Sequence, residues 1–174
     1  PINRELPNGR INCLHIDGAG AVWIGTSTGL ARLRNGQIET LTADSGLSSN
    51  LVLSIFEDRE GSVWVGTEAG GINLLRNRKF TTVTAKDGLG SDLVKSIYQQ
   101  PSGDVWIGTN GGGLTVLQNG KTRTFTTRDG LASDVVLSLA GDRPGNLWIG
   151  TPDGLNLFKD GKFKTFTFAH FKTE

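Results

Sequence analysis

The sequence predicts an all-β fold: a β-propeller built from four four-stranded blades of about 42 residues, either a partial propeller or half of a ring closed by self-association. Three observations predict it. First, one phrase is written four times: VWIGT at Val22–Thr26, VWVGT at Val63–Thr67, VWIGT at Val105–Thr109 and LWIGT at Leu147–Thr151, with Trp23, Trp64, Trp106 and Trp148 spaced by 41, 42 and 42 residues. Second, a companion phrase keeps the same step: DSGLSSNLVLSI from Asp44, KDGLGSDLVKSI from Lys86 and RDGLASDVVLSL from Arg128, with a degenerate copy, ELPNGRINCLHI, from Glu5. Third, no segment carries a helical period, and turn residues recur between short apolar runs. A period in the low forties marks an array of supersecondary units, none able to bury its own faces alone.

The second unit shows how each element is justified. LVLSIFE (Leu51–Glu57) reads as a strand and Asp58-Arg59-Glu60-Gly61 as a turn. SVWVGT (Ser62–Thr67) is the next strand, broken from INLLR (Ile72–Arg76) by Gly70-Gly71, and KFTTVT (Lys79–Thr84) closes the unit. The last hairpin turns at Asn35-Gly36, Asn119-Gly120 or Asp160-Gly161 in three units, the dipeptides of tight type I′ turns. In the second unit Asn77-Arg78 stands there, and Asn also reaches positive φ. Strands such as LVLSI and DVVLSL are nearly continuous in apolar residues, as strands covered on both faces are. Sheets stacked face to face around an axis give that coverage. The small residues Cys13, Ser54, Ser96 and Ser138 share one register of the first strand, where crowding near an axis favours them. The repeated Trp is then the wedge between blades, burying ~200 Å² each. Gly25, Gly66, Gly108 and Gly150 close the same strand each time, and are structural with the tryptophans. Blade limits fall near 5–45, 46–87, 88–129 and 130–168 of a single array, with 169–174 as a tail.

Composition narrows the function classes. Hydrophobic content is 36% and charged content 20%, a globular balance. The formal net charge is +1 with both signs interspersed, so no basic stripe points to nucleic acid. No apolar run approaches the ~20 residues of a membrane helix, so this segment makes no membrane contact of that kind. The chain begins PINRELPNGR and contains no Met, which suggests a processed or excised piece of something longer. No signal peptide is visible. Cys13 is the single cysteine, which excludes an internal disulfide.

The sequence GL-S-S/D-x-V-x-S-I, a turn, then W-I-G-T-x-x-G-L resembles the two-component regulator propeller repeat over almost the whole chain. Members of that family are typically bacterial sensors whose propellers lie outside the cytoplasmic membrane. They are often followed by a β-sandwich, a membrane span and a kinase or cyclase. The resemblance therefore implies a periplasmic or extracellular module of a signalling receptor, and in one branch of the family oligosaccharide ligands. The chain departs from the family plan in holding four blades rather than seven or so, and in lacking sandwich, span and output domain.

Repetition itself separates structural from functional candidates. Asp17, Asp58 and Asp142 share a register with Gln100, so they read as turn residues capping a hairpin rather than as catalytic carboxylates. His15 aligns with Phe56, Tyr98 and Ala140, an inter-blade packing position, and His170 in FAHFKTE has no partner that suggests a metal site. Cys13 stands where serines stand elsewhere and reads as a small core residue. The glycines of TEAGG and TNGGGL lack the lysine and helix of a phosphate loop and read as turns. No Ser-His-Asp, Cys-His or metal-spaced cluster is visible, so neither cofactor nor metal is expected. Ligand contacts are expected in two loop families on one face: Asn50, Asp92 and Asp134 before the first strand, and Glu68, Asn110 and Asp153 after the Gly-Thr pair.

The leading expectation is a non-catalytic sensor or ligand-binding propeller that recognises an oligosaccharide or other small ligand. The alternatives are a protein-interaction scaffold and a propeller lyase, the last needing a histidine constellation that two scattered histidines do not supply. Four blades of an array built for more leave two apolar end faces. Self-association is expected, with a dimer forming an eight-bladed ring favoured over pairing with the remaining blades of a parent chain or a tight four-bladed ring.

Overall fold

The computed structural model describes residues 6–167 except 78 and 144. Each copy of the repeat folds as one antiparallel four-stranded meander, its strands hydrogen-bonded in chain order. The first sheet holds β1 (Ile11–Ile16), β2 (Val22–Thr26), β3 (Leu30–Arg34) and β4 (Gln37–Leu41). The second holds β5 (Val52–Glu57), β6 (Val63–Thr67), β7 (Ile72–Arg76) and β8 (Lys79–Val83). The third holds β9 (Val94–Gln99), β10 (Val105–Thr109), β11 (Leu114–Gln118) and β12 (Lys121–Phe125). The fourth holds β13 (Ser138–Gly141), β14 (Leu147–Thr151), β15 (Gly154–Lys159) and β16 (Lys162–Phe166). No α-helix occurs among the described residues; the connectors Ala43–Ser45, Ala85–Asp87 and Thr127–Asp129 are single 3-10 turns.

Turn chemistry sets these boundaries. Asn35-Gly36, Asn119-Gly120 and Asp160-Gly161 all have positive φ at both positions, between 50 and 75°, as type I′ turns require. Asn77 takes φ 50° at the first position of the second sheet's turn, like its counterparts; Arg78, which stands where the others have glycine, lies outside the described residues. Threonine closes the loop after each Trp-bearing strand: Oγ1 of Thr26, Thr67, Thr109 and Thr151 donates to the carbonyls of Gly29, Gly71, Gly113 and Gly154 at 2.8–2.9 Å.

The backbone groups into two units, residues 1–84 with 92–94, and residues 85–91 with 95–174. In the first, Trp23, Leu30, Leu47, Val52, Val63 and Val65 form one buried cluster spanning two sheets. In the second, Trp106, Leu114, Phe125, Leu131, Val136, Leu147 and Ile149 do the same, joined by Phe158 and Phe163. Each such side chain contributes about 1.5–3 kcal/mol by leaving water. Trp23 and Trp106 are therefore wedges between consecutive sheets within a unit, as the repeat pattern implies.

In three of the four Trp-bearing strands the glycine answers to a contact with the following sheet. An added Cβ on Gly25 would stand 2.7 Å from Val52 Cγ1, and one on Gly66 or Gly108 would stand 2.5 Å from Cγ1 of Val94 or Val136. Real Cβ atoms do not approach so closely, so a methyl there would push the next sheet away. The same glycines explain the small residues of the first strand. Cys13 pairs across the ladder with Gly25, Ser54 with Gly66 and Ser138 with Gly150. Their Sγ or Oγ atoms lie over the space a glycine side chain would take. Small residues sit there because they share one layer with the glycine and the incoming valine.

Candidate functional site

The polar register identified from the repeats is a clamp on the tryptophan. Trp23 Nε1 donates to Asp17 Oδ2 at 2.9 Å, Trp64 to Asp58 at 2.8 Å, Trp106 to Gln100 Oε1 at 2.8 Å and Trp148 to Asp142 at 3.1 Å. The second oxygen of each aspartate caps the adjoining turn, taking the N–H of Ala21, Ser62 or Asn146 at 2.7–2.8 Å. These carboxylates are therefore committed to structure, one end to the hairpin and the other to the indole. Burial pushes the Asp17 carboxyl up, but the Ala21 and Trp23 hydrogen bonds and the Arg32 charge outweigh it and hold it below the usual carboxylate range. Asp142 is also held low, chiefly by the Asn146 side chain, with the Asn146 backbone and Trp148 adding to it against desolvation. Repetition revealed the turn role; the indole bond needed the structure.

The two expected loop families meet at one end of each unit. In the first, Glu68 N donates to Leu51 O at 3.0 Å and Gly71 N to Asp92 O at 2.8 Å. In the second, Gly111 N and Gly113 N both donate to Asp134 O, and Asn110 bridges Val135. The side chains divide into two kinds. Asn50 Oδ1 takes the Ala43 N–H and Asp134 Oδ1 the Thr127 N–H, each at 2.7 Å, so both order the 3-10 turn seven residues before them. Glu68, Asn110 and Asp153 stand exposed, each just beyond a Gly-Thr pair. Sequence reasoning missed Asn73 and Asn156, which are fully buried in the third strands. Their Oδ1 atoms take the N–H of Ser48 and Ala132 at 3.0 and 2.8 Å, stitching the lead-in loop to its own sheet. The signal was present: a polar residue at one register of an apolar strand, with Thr115 as its third member donating and accepting in the same place.

Each unit also holds a cleft between its two sheets. In the first, about 520 Å³ is bounded by Trp23, Phe80, Asp17, Glu39, Glu57 and Arg32. Arg32 lies 5.0 Å over the Trp23 ring and 3.1 Å from Asp17, where the other sheets carry Leu74, Val116 and Leu157. In the second, a shallower cleft of about 470 Å³ has Trp106, Phe125 and Phe158 as its aromatic wall, with Arg123 4.6 Å over Phe125. Both volumes suit a small ligand.

His15 Nε2 lies 3.8 Å from Glu57 of the next sheet, the packing position its register implied, and His170 lies outside the described residues. Burial pushes the Cys13 thiol up to about 11, so it stays protonated and unreactive at neutral pH. Among the described residues no three His, Cys, Asp or Glu side chains are grouped to hold a metal ion, and no helix is long and apolar enough to cross a membrane.

The chain belongs to the two component regulator propeller family, which it matches at residues 5–28, 46–69, 88–111 and 130–153. No curated protein matches it. Among solved structures it is similar to the extracellular domain of BT4673 from B. thetaiotaomicron, titled a one-component or hybrid two-component system. That pairing has 21% identity and a TM-score of 0.78, over 94% of this chain and 26% of that one. It is also similar to virginiamycin B lyase from Staphylococcus aureus, with 17% identity and a TM-score of 0.72 over 94% of this chain and 58% of the lyase. PorZ from Porphyromonas gingivalis, a surface component of the type-IX secretion system, gives 12% identity and a TM-score of 0.67 over 95% of this chain and 28% of PorZ. At these identities the likeness is one of fold. The chain spans about a quarter of the BT4673 domain.

Proposed function

We propose that the chain is a non-catalytic ligand-binding module of an extracytoplasmic bacterial sensor, and that its loop end recognises an oligosaccharide. The observation that carries this reading is the family match in all four repeats, on residues that the structure uses to build blades. The extracellular sensor domain of BT4673 shares the fold and supports the setting outside the cytoplasmic membrane. The fold is also used by a lyase, whose inactive variant replaces a histidine. Here the described histidine, His15, is wedged against Glu57 between sheets, away from the loop end, which favours binding over turnover.

With Asn50 and Asp134 occupied in loop order, Glu68 in the first unit, and Asn110 with Asp153 in the second, are the side chains each unit offers to a ligand. The test is calorimetric titration with a panel of oligosaccharides. Saturable binding that weakens about tenfold in Asn110→Ala or Asp153→Ala, close to 1.4 kcal/mol, at unchanged melting temperature supports the reading. Absence of binding across the panel sinks the carbohydrate assignment, and product formation from any of the sugars sinks the non-catalytic one.

A further inference from the structure

The clefts of the two units are built on the same registers and carry opposite charge. In the first unit Asp17, Glu39 and Glu57 are set against Arg32, whose Nη2 lies 3.1 Å from Asp17 Oδ2. In the second unit the same registers read differently. Gln100 stands where Asp17 stands, the one uncharged member of the register that holds Asp17, Asp58 and Asp142. Arg123 stands where Glu39 stands. Glu39 pairs across the ladder with Arg32, whereas Arg123 pairs with Val116. The ladder that matches a cation with an anion in the first sheet thus sets a cation against an apolar side chain in the third.

Arg123 is held by a ring instead. Its guanidinium lies 4.6 Å over the centroid of Phe125. It is exposed, and among the described residues it has neither an ion pair nor a hydrogen bond. Lys121, two residues earlier and so on the same face of β12, is exposed too and lines the cleft. Gln100 brings no charge, and both ends of its amide are taken: Oε1 accepts from Trp106, and Nε2 donates to Gly145 O at 3.0 Å. Among the described residues, Asp104 is the one carboxylate that lines this cleft, and it accepts from Ser102 Oγ at 2.8 Å. The wall is also more aromatic than in the first unit. Phe125 and Phe158 occupy the registers of Leu41 and Leu75, and with Trp106 they form a set of rings 5.1–5.9 Å apart.

We propose that the second unit's cleft is a binding site for a small organic anion, a carboxylate on a flat ring, with the ring against Phe125 and Phe158 and the carboxylate on Arg123. The site lies beside the Asn119-Gly120 turn, away from the loop end, and does not depend on what the loops bind. Its chemistry names the ligand. A guanidinium offers parallel N–H donors to the two oxygens of a carboxylate, and stacking on a ring keeps that fork oriented before the ligand arrives. A cation that no protein carboxylate neutralises favours an anion over a neutral molecule, and about 470 Å³ beside aromatic rings admits a ring body. The first unit's cleft, with its excess of carboxylates, disfavours the same ligand.

Proton–nitrogen NMR titration reads the outcome, with benzoate as the probe and benzyl alcohol and acetate as its two halves. Benzoate is expected to shift the Trp106 indole N–H and the amides of β11 and β12 saturably, and to bind about tenfold more tightly than either half. Arg123→Gln, a change at an exposed residue, is expected to weaken benzoate about tenfold and to leave benzyl alcohol unchanged. Gln100→Asp, which installs the residue of the other three sheets and keeps an acceptor for the indole, is expected to do the same by adding a carboxylate to the cleft. No saturable shift, shifts centred in the first unit, equal affinity for benzyl alcohol, or benzoate binding indifferent to both substitutions in folded protein overturns the proposal.

Discussion

At the scale of the residue, the aspartate that precedes three of the four tryptophans shows how one side chain serves two elements. It closes the β1–β2 type of turn with one oxygen and fixes the indole with the other, so the wedge between sheets is aimed by a group six residues away. Gln100 does the indole part of this work without a charge, its Oε1 taking the Trp106 N–H at 2.8 Å. The required chemistry is thus an acceptor rather than an anion. Asp58→Asn, whose amide keeps one accepting oxygen and turns an NH2 toward the other N–H, is accordingly expected to cost about 1 kcal/mol, while Asp58→Leu, which leaves both the Trp64 N–H and the Ser62 N–H without their acceptor, costs about 2–4 kcal/mol in a urea melt. Equal losses in the two variants would make the charge, not the hydrogen bond, the stabilising feature. The turn half of this role was legible in the sequence because Asp and Gln at one register before a tight turn have a known local use. The indole half was not, because a contact between residues six apart across a hairpin leaves no mark on spacing alone.

At the scale of the element, the Trp-bearing strand combines three fixed requirements in five residues. Trp wedges, Thr ties the following loop, and Gly makes room for the valine of the next sheet. Gly108 has an ordinary backbone conformation, so the cost of a side chain there is steric rather than torsional. Gly108→Ala would press a methyl to 2.5 Å from Val136 Cγ1 and also against Ser96 Oγ. It is expected to destabilise the second unit by about 1–3 kcal/mol in chemical denaturation, with partial recovery when Val136→Ala is added. A neutral Gly108→Ala would show that the sheets have room to part. The strands, their type I′ turns and the wedge were readable from periodicity and from Asn-Gly and Asp-Gly pairs. The reason for the glycine was not, since it lies in a neighbour about 28 residues on. Asn73 and Asn156 were passed over for a related reason: they look like ordinary variation in an apolar strand until the lead-in loop is seen bonded to them.

At the scale of the whole molecule, the repeat sets one rule three times over: Val52, Val94 and Val136 each cover the glycine of the preceding Trp-bearing strand. The four-fold repeat made the recurrence of this contact foreseeable, though not the side chains that make it. The ligand end is less legible, because Asn50 and Asp134 look like loop-face candidates in sequence and turn out to be tied to backbone N–H groups.

The central claim, that the valine leading a sheet is seated on the glycine of the preceding Trp-bearing strand, is tested most directly by an intrachain cross-link in the second unit. The chain carries Gly108→Cys and Val136→Cys, with Ser96→Ala, which removes the Oγ that a side chain at 108 would meet, and Cys13→Ser, the residue found at that register in the other three sheets. A Cβ at 108 lies 3.1 Å from Val136 Cβ, a small adjustment from the ~3.8 Å of a disulfide. Mildly oxidised, the folded chain is expected to lose both thiols while keeping the mass of a single chain. Two free thiols in a folded, oxidised chain, or cross-links only between chains, would contradict the account.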